Sequence, residues 1–150
     1  MDPLGEVYKQ IGAEEPFFRL VDEFYAGVEQ SFVLRPLYPE NLDNAKRSLA
    51  LFLIQRTGGR TTYSDEKGHP RMRARHMPFA IGQAERDAWM VCMNNALDKT
   101  PEFASVRSVL DQFFEHFATF MINKPNWNFR TRIRVFSFEH QSLRFDFQFR

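Results

Sequence analysis

The sequence contains a single cysteine, Cys92, in 150 residues, so no disulfide bond can form within the chain. No apolar run approaches the roughly 20 residues that cross a bilayer, and no membrane partner is expected. Lys and Arg number 20 against 19 Asp and Glu, and this balance predicts no general attraction to nucleic acid. The first residues lack the basic and apolar regions of a signal peptide, so we expect a cytoplasmic protein.

Several common sites are also missing. One cysteine and scattered histidines give no zinc spacing, and Gly58-Gly59 lacks the Lys-Ser/Thr pair that completes a phosphate-binding loop. No serine nucleophile motif occurs. Phenylalanine, in contrast, is abundant, with 17 residues. Such side chains suit either an aromatic core or a wall around a flat apolar ligand, and composition alone leaves both readings open.

Hydrophobic periodicity predicts helices over most of the chain. We expect helices at about 4–11, from Glu14-Glu15-Pro16 to Val28, from an Asn41 or Asp43 cap to Gly58-Gly59, and at about 83–97 and 101–121. Residues 60–75 are polar and rich in Gly, Pro and charge, which predicts a long loop. Residues 130–135 and 144–149 alternate with period two, and this alternation predicts a β-hairpin in the tail.

His76 lies in the run Arg73-Ala74-Arg75-His76-Met77-Pro78-Phe79. A neutral imidazole binds iron through one ring nitrogen while the other is oriented by a hydrogen bond. Neighbouring arginines can meet carboxylates such as the heme propionates. Pro78 forbids a regular helix beyond this point. The run therefore indicates an axial heme ligand, although a lone histidine among basic residues is more often a solvated one.

Longer runs of sequence extend this indication. From about residue 4 to residue 124 the chain resembles the second group of the truncated hemoglobins. The matching runs, in chain order, are Leu34-Arg35-Pro36-Leu37-Tyr38-Pro39-Glu40, Gly58-Gly59, Thr62-Tyr63-Ser64, Gly68-His69-Pro70-Arg71-Met72-Arg73, Arg75-His76-Met77-Pro78-Phe79 and Glu85-Arg86-Asp87-Ala88-Trp89-Met90. The resemblance implies an all-α, two-over-two helical sandwich that holds heme b, with a proximal region that is mostly loop.

The resemblance also implies roles for individual residues. His76 becomes the proximal iron ligand, and the distal hydrogen-bond donors become Tyr25, Tyr38 and Trp89. Further heme contacts are implied at the gate position Ala45, at Leu49 and Phe52, and near the propionates at Tyr63 and Arg73. The chain departs from the family pattern at four positions that bear on the heme-edge contacts and not on the iron ligand, namely Ser48, Arg56, Thr57 and Arg60.

The function implied by this resemblance is reversible binding of dioxygen and other diatomic ligands, including nitric oxide and carbon monoxide. A polar distal pocket predicts high oxygen affinity and slow release, because each donor adds a hydrogen bond to a charged ligand. Ligand chemistry or sensing is therefore favoured over transport. Peroxidase-like and nitric oxide dioxygenase activities both stay open, and either would need a reductase that the sequence does not identify.

The tail divides the chain into a globin-like domain at 1–124 and a C-terminal extension at 125–150. A rival interpretation is a heme-free helical interaction module, whose tail binds a partner protein or nucleic acid through Arg130, Arg132 and Arg134 and the nearby phenylalanines. We favour a tail that packs on the domain or pairs with a second copy as a homodimer, because bare Phe-rich strand edges promote association.

Overall fold

The computed structural model describes residues 2–124, and the predicted tail hairpin lies outside this range. Within it the chain is helical and contains no strand. The helices are α1 (Val7–Ile11), α2 (Glu15–Glu29), α3 (Asp43–Arg56), α4 (Thr62–Lys67), α5 (Met72–His76), α6 (Gln83–Asp98) and α7 (Arg107–Phe120). Short 3₁₀ segments lie at Pro3–Glu6, Arg35–Leu37 and Pro101–Val106.

Three helix boundaries lie at residues that the sequence marks. Pro16 occupies the first turn of α2, where its missing N–H costs nothing. Gly12 follows α1 in the left-handed region, with φ of 80°. The Asn41 side chain accepts a 2.9 Å hydrogen bond from the Asp43 backbone N–H at the start of α3. These local signals confirm the predicted starts of α2 and α3 and the predicted end of α1.

The four long helices form the sandwich. Helix α2 packs against both α3 and α6, and α6 also packs against α7. Gly27 permits the close approach of α2 to α6, since a Cβ there would lie 3.1 Å from the Cys92 Sγ. Cys92 is buried, as its place in the apolar stripe indicates. The all-α prediction is therefore confirmed, and the residues that the structure describes contain no helix long and apolar enough to cross a membrane.

Aromatic side chains fill much of the core. Four phenylalanines have 1% or less of their surface exposed, namely Phe17, Phe24, Phe103 and Phe114. The Phe17 and Phe103 rings meet edge to face with centroids 5.2 Å apart, an arrangement that adds to the free energy of burial. The sequence predicts one helix at about 101–121. In the structure the first six of these residues, Pro101–Val106, form a 3₁₀ segment that carries Phe103, and α7 begins at Arg107.

The glycine pair after α3 lets the N-terminal turn lie directly on the end of that helix. Gly58 has φ of 103°, and a Cβ there would lie 2.0 Å from the carbonyl oxygen of Gly5. A side chain at this position would overlap the Gly5 backbone, and its own backbone would be strained at this positive φ. The Tyr8 N–H completes this contact by donating to the Thr57 carbonyl at 2.9 Å.

The long loop predicted for residues 60–75 is wrong. Two short helices, α4 and α5, lie there, and Tyr63 in α4 is fully buried. Helices of five or six residues are too short to show periodicity or to be stable alone. Tertiary contacts hold them in place: the Ser64 N–H donates to Gln55 Oε1 at 3.0 Å, and Gln55 Nε2 donates back to Ser64 Oγ at 2.7 Å.

Candidate functional site

A cavity of about 510 Å³, measured with its open mouth, lies between α5, α6, α7 and the turn after α2. Most of its lining is apolar, from Leu34, Leu37, Phe79, Ile81, Trp89, Phe117, Ala118 and Met121. Its polar lining consists of Tyr38, His76, Glu85 and Arg86. The cavity therefore has apolar walls and few polar groups.

His76 is the last residue of α5, and its ring has a defined protonation. Nδ1 lies 2.6 Å from the Met72 carbonyl oxygen. Because a carbonyl only accepts, Nδ1 must carry the proton. Burial lowers the pKa of His76, which favours the neutral ring. In that form the lone pair is on Nε2, the arrangement that a metal-binding imidazole needs.

Arg75 fixes the turn that leads into α5. Its guanidinium donates to the Lys67 carbonyl at 2.7 Å and to the Pro70 carbonyl at 2.6 Å. The turn needs this support because Arg71 adopts a left-handed conformation with φ of 42°, which a non-glycine residue rarely does. Arg75 thereby fixes the start of α5, and so the position of His76 at its end.

The predicted distal donors lie together. Tyr38 and Trp89 both line the cavity. Tyr25 lies behind Tyr38, with 1% of its surface exposed and the two rings at 90° and 5.6 Å between centroids. The hydroxyls of Tyr25 and Tyr38 hydrogen-bond to each other, and burial is the main cause that raises the pKa of both. Both phenols therefore keep their protons at physiological pH.

Other predicted residues occupy α3. Ala45 and Phe52 are buried and Leu49 is partly buried against the core. The Phe52 ring contacts Phe117, a cavity residue, at 5.6 Å, and contacts Tyr63 at 5.7 Å. The structure thus connects Phe52 to the cavity wall through Phe117, and Ala45 and Leu49 are not among the cavity residues named above.

Tyr63 and Arg75 each have a buried polar atom without a hydrogen-bond partner among the described residues. The Tyr63 hydroxyl and Arg75 Nη1 are buried and have no hydrogen-bond partner among residues 2–124, and the same holds for Ser48 Oγ. The Arg75 guanidinium lies over the Tyr63 ring, 6.0 Å from its centroid. An unpaired buried polar group costs about 1–3 kcal/mol. Both atoms are donors of the kind that bind a carboxylate, and neither residue is among those that line the cavity.

Arg73, the other residue predicted near the propionates, contacts the end of α7. Its guanidinium is 5.7 Å from the Phe120 ring centroid, and Nη2 is 3.4 Å from the Ile122 carbonyl. These contacts join α5 to the end of α7. Of the two arginines beside His76, Arg75 is therefore the one that the structure places next to Tyr63.

Sequence reasoning missed much of the apolar wall. Phe117 and Met121 belong to the stripe that the sequence assigns to the core, and Phe79 and Ile81 follow Pro78 in an irregular segment. Periodicity shows which side of a helix is apolar, but it does not separate side chains that face a cavity from those that face the core. For Phe79, its place three residues after His76 was the available signal.

Comparison with known proteins defines the class. A family model for bacterial-like globins matches residues 6–123. The group 2 truncated hemoglobin YjbI of Bacillus subtilis (strain 168) is 39% identical over 117 residues, which cover 78% of this chain and 88% of the relative.

Two solved structures have the same fold. The hemoglobin of the thermophilic phototrophic bacterium Chloroflexus aurantiacus is 47% identical, with a TM-score of 0.73 and coverage of 79% of this chain and 98% of that one. The truncated oxygen-avid haemoglobin of Bacillus subtilis is 39% identical, with a TM-score of 0.74 and coverage of 77% and 98%.

A helical sandwich with one neutral histidine at an aromatic cavity is the arrangement of a globin. The chain belongs to the bacterial-like globin family, as a group II truncated hemoglobin. Membership of this family implies heme binding and the binding of diatomic ligands such as oxygen. The heme-free interaction module considered as a rival is not favoured.

Proposed function

We propose that this chain binds heme b through His76 and reversibly binds dioxygen, nitric oxide and carbon monoxide, with high oxygen affinity and slow release. The 2.6 Å hydrogen bond from Nδ1 to the Met72 carbonyl carries this proposal, because it supports a neutral imidazole at the edge of an apolar cavity. When bound, heme supplies the iron that takes up the diatomic ligand and exchanges electrons with a reductase, which we propose as a separate partner.

Different residues of the chain would contact different parts of the heme. His76 would bind its iron, while Phe79, Ile81 and Phe117 would pack against its apolar surface. Tyr63 and Arg75 would donate to its carboxylates through the two buried polar atoms that have no partner among the described residues. This set of residues offers donors for charged groups and apolar contacts for the ring, as an amphipathic cofactor requires.

Tyr38 and Trp89 act on the ligand. Tyr38 lines the cavity, and its hydroxyl is hydrogen-bonded to that of Tyr25. We take Tyr25 as the donor of this bond, because Tyr25 is buried behind Tyr38 and is not among the residues that line the cavity. A phenol that accepts one hydrogen bond still has its own proton to donate. The indole N–H of Trp89 is a second donor in the same cavity. Two donors to a partly charged ligand contribute about 1.5–3 kcal/mol each.

Slow release favours ligand chemistry or sensing over transport. Loss of about 1.4 kcal/mol corresponds to a tenfold change in rate, so two donors slow escape roughly a hundredfold or more. The structurally similar haemoglobin from Bacillus subtilis is oxygen-avid, which supports the same direction here. Nitric oxide detoxification and peroxidase-like activity remain alternative reactions for such a site. The cytoplasm remains the expected compartment. For the tail both alternatives stay open, packing on the domain or pairing with a second copy as a homodimer.

An absorption spectrum tests the proposal. The purified protein is titrated with hemin, reduced with dithionite and exposed to carbon monoxide, with His76→Gly as the matched variant. We expect one hemin per chain and a sharp Soret band that moves on reduction and again with carbon monoxide. The His76→Gly band should be altered or lost. Failure of the wild-type protein to bind hemin stoichiometrically would refute heme binding.

A further inference from the structure

Asn123 joins the end of the described chain to the segment that carries His76. Its side-chain Nδ2 donates to the His76 carbonyl at 3.1 Å and to the Phe79 carbonyl at 2.8 Å. Its Oδ1 accepts from the Ile81 N–H at 3.0 Å. One amide therefore uses both of its N–H donors and its oxygen on three backbone groups between residues 76 and 81.

The backbone next to Asn123 strengthens this connection. The Asn123 N–H and the Lys124 N–H both donate to the Ile81 carbonyl, at 2.8 and 3.1 Å. Ile81 and Phe79 line the cavity together with His76. The bonds from residues 123 and 124 therefore hold one continuous wall of the site, from the histidine to the start of α6.

Helix α5 has five residues and cannot be stable alone. The His76 ring is oriented by a bond to Met72 in this same helix, so the ring moves wherever α5 moves. Arg75 fixes the first end of α5, and Asn123 is bonded to the carbonyl at its last residue. The direction of the imidazole thus depends on contacts at both ends of the helix.

We propose that Asn123 is a positioning residue for His76, which holds the carbonyl of the histidine and the following turn so that the imidazole keeps its direction into the cavity. This proposal rests on heme binding through His76. Only an amide at position 123 makes all three bonds. Aspartate has the same shape and keeps the acceptor for Ile81 but has no proton for the two carbonyls, and leucine has a similar shape and makes none of the bonds.

The test measures transfer of hemin from the full-length protein to excess apomyoglobin. We expect Asn123→Asp to accelerate hemin loss about tenfold or more, the usual effect of losing a partner that orients a metal ligand. Asn95→Asp makes the same charge change at an exposed site on α6 and should leave the rate unchanged. If the carboxylate prevents folding, Asn123→Leu is measured in the same way.

A double-mutant cycle separates positioning from general stabilisation. In His76→Gly supplied with imidazole, the ring is no longer attached to the backbone that Asn123 holds. Asn123→Asp should then accelerate hemin loss clearly less than it does with His76 in place, and any acceleration that remains reflects its bonds to the Phe79 and Ile81 backbone. An equal acceleration of hemin loss with His76 in place and in His76→Gly would mean that Asn123 only stabilises the fold. No acceleration in the protein that retains His76 would also overturn the proposal.

A spectroscopic readout covers the case in which His76→Gly takes up no hemin. The resonance Raman band of the ferrous iron–histidine bond should shift or broaden in Asn123→Asp and stay in place in Asn95→Asp. An unchanged band in Asn123→Asp would overturn the positioning role while leaving the proposed function intact. A wild-type protein that takes up no hemin would overturn both.

Discussion

Tyr38→Phe removes one hydroxyl from the cavity and keeps the ring. We expect dioxygen to leave the hemin-loaded, reduced protein much faster after this change, because Tyr38 is the phenol that lines the cavity and can donate to a ligand there. Carbon monoxide carries less charge in such a site, so its release should change less. Stopped-flow displacement of each gas measures both rates.

The magnitude follows from the kind of hydrogen bond lost. A bond to a charged partner contributes about 1.5–3 kcal/mol, which corresponds to roughly a tenfold to more than a hundredfold faster release. Tyr25 has 1% of its surface exposed and reaches the cavity through its hydrogen bond to Tyr38. Tyr25→Phe removes a neutral bond of about 0.5–1.5 kcal/mol, so its effect should be smaller, at roughly twofold to tenfold.

The double variant tests the order of these two groups. If Tyr25 acts through Tyr38, adding Tyr25→Phe to Tyr38→Phe should accelerate oxygen release little further, and the two effects should not add. Trp89→Phe, in contrast, should add to Tyr38→Phe, since the indole N–H is a separate donor in the cavity. A larger effect of Tyr25→Phe than of Tyr38→Phe, or strict additivity of the two tyrosines, would refute this order.

Three further predictions concern the rest of the domain. Tyr63→Phe removes a buried hydroxyl without a partner among the described residues. The apoprotein should become more stable in urea, by about 1–3 kcal/mol, yet hemin transfer should be faster. A destabilised apoprotein would contradict this. Burial raises the pKa of Tyr25, Tyr38 and Tyr63, so each of these phenols loses its proton at a lower pH in the unfolded chain than in the folded protein. The stability that they contribute is therefore complete below the unfolded pKa of about 10 and is lost as the pH rises above it. Tyr8 is the only other tyrosine of the chain, so tyrosinate absorbance from more than one tyrosine per folded chain near that pH, before unfolding seen by circular dichroism, would be inconsistent with this burial. Gly58→Ala should destabilise the protein by at least about 2 kcal/mol through overlap and strain. The control is Gly12→Ala, because Gly12 has a similar positive φ but no atom within 4 Å of an added Cβ, and its effect should be smaller. Equal urea midpoints for the two variants would count against the overlap.

Local chemistry in the sequence determined several helix boundaries. Pro16 lies at the start of α2, Gly12 ends α1, and the Asn41 side chain accepts from the N–H of Asp43, the first residue of α3. Each acts on backbone within a few residues of itself. The run around His76 and the matching runs along the chain also indicated the family and the iron ligand before any coordinates. These features need no knowledge of which segments meet in space.

Tertiary structure decided what the proximal segment looks like and which side chains share the cavity. Helices α4 and α5 are too short to be stable by their own hydrogen bonds, and contacts from Gln55, Arg75 and Asn123 hold them. Asn123 is 47 residues from His76 in sequence, so no local pattern could show that its amide reaches the histidine carbonyl. Periodicity likewise marked Phe117 as apolar but not as part of the cavity, because the side of a helix that faces a ligand is fixed only when the other helices are packed around it.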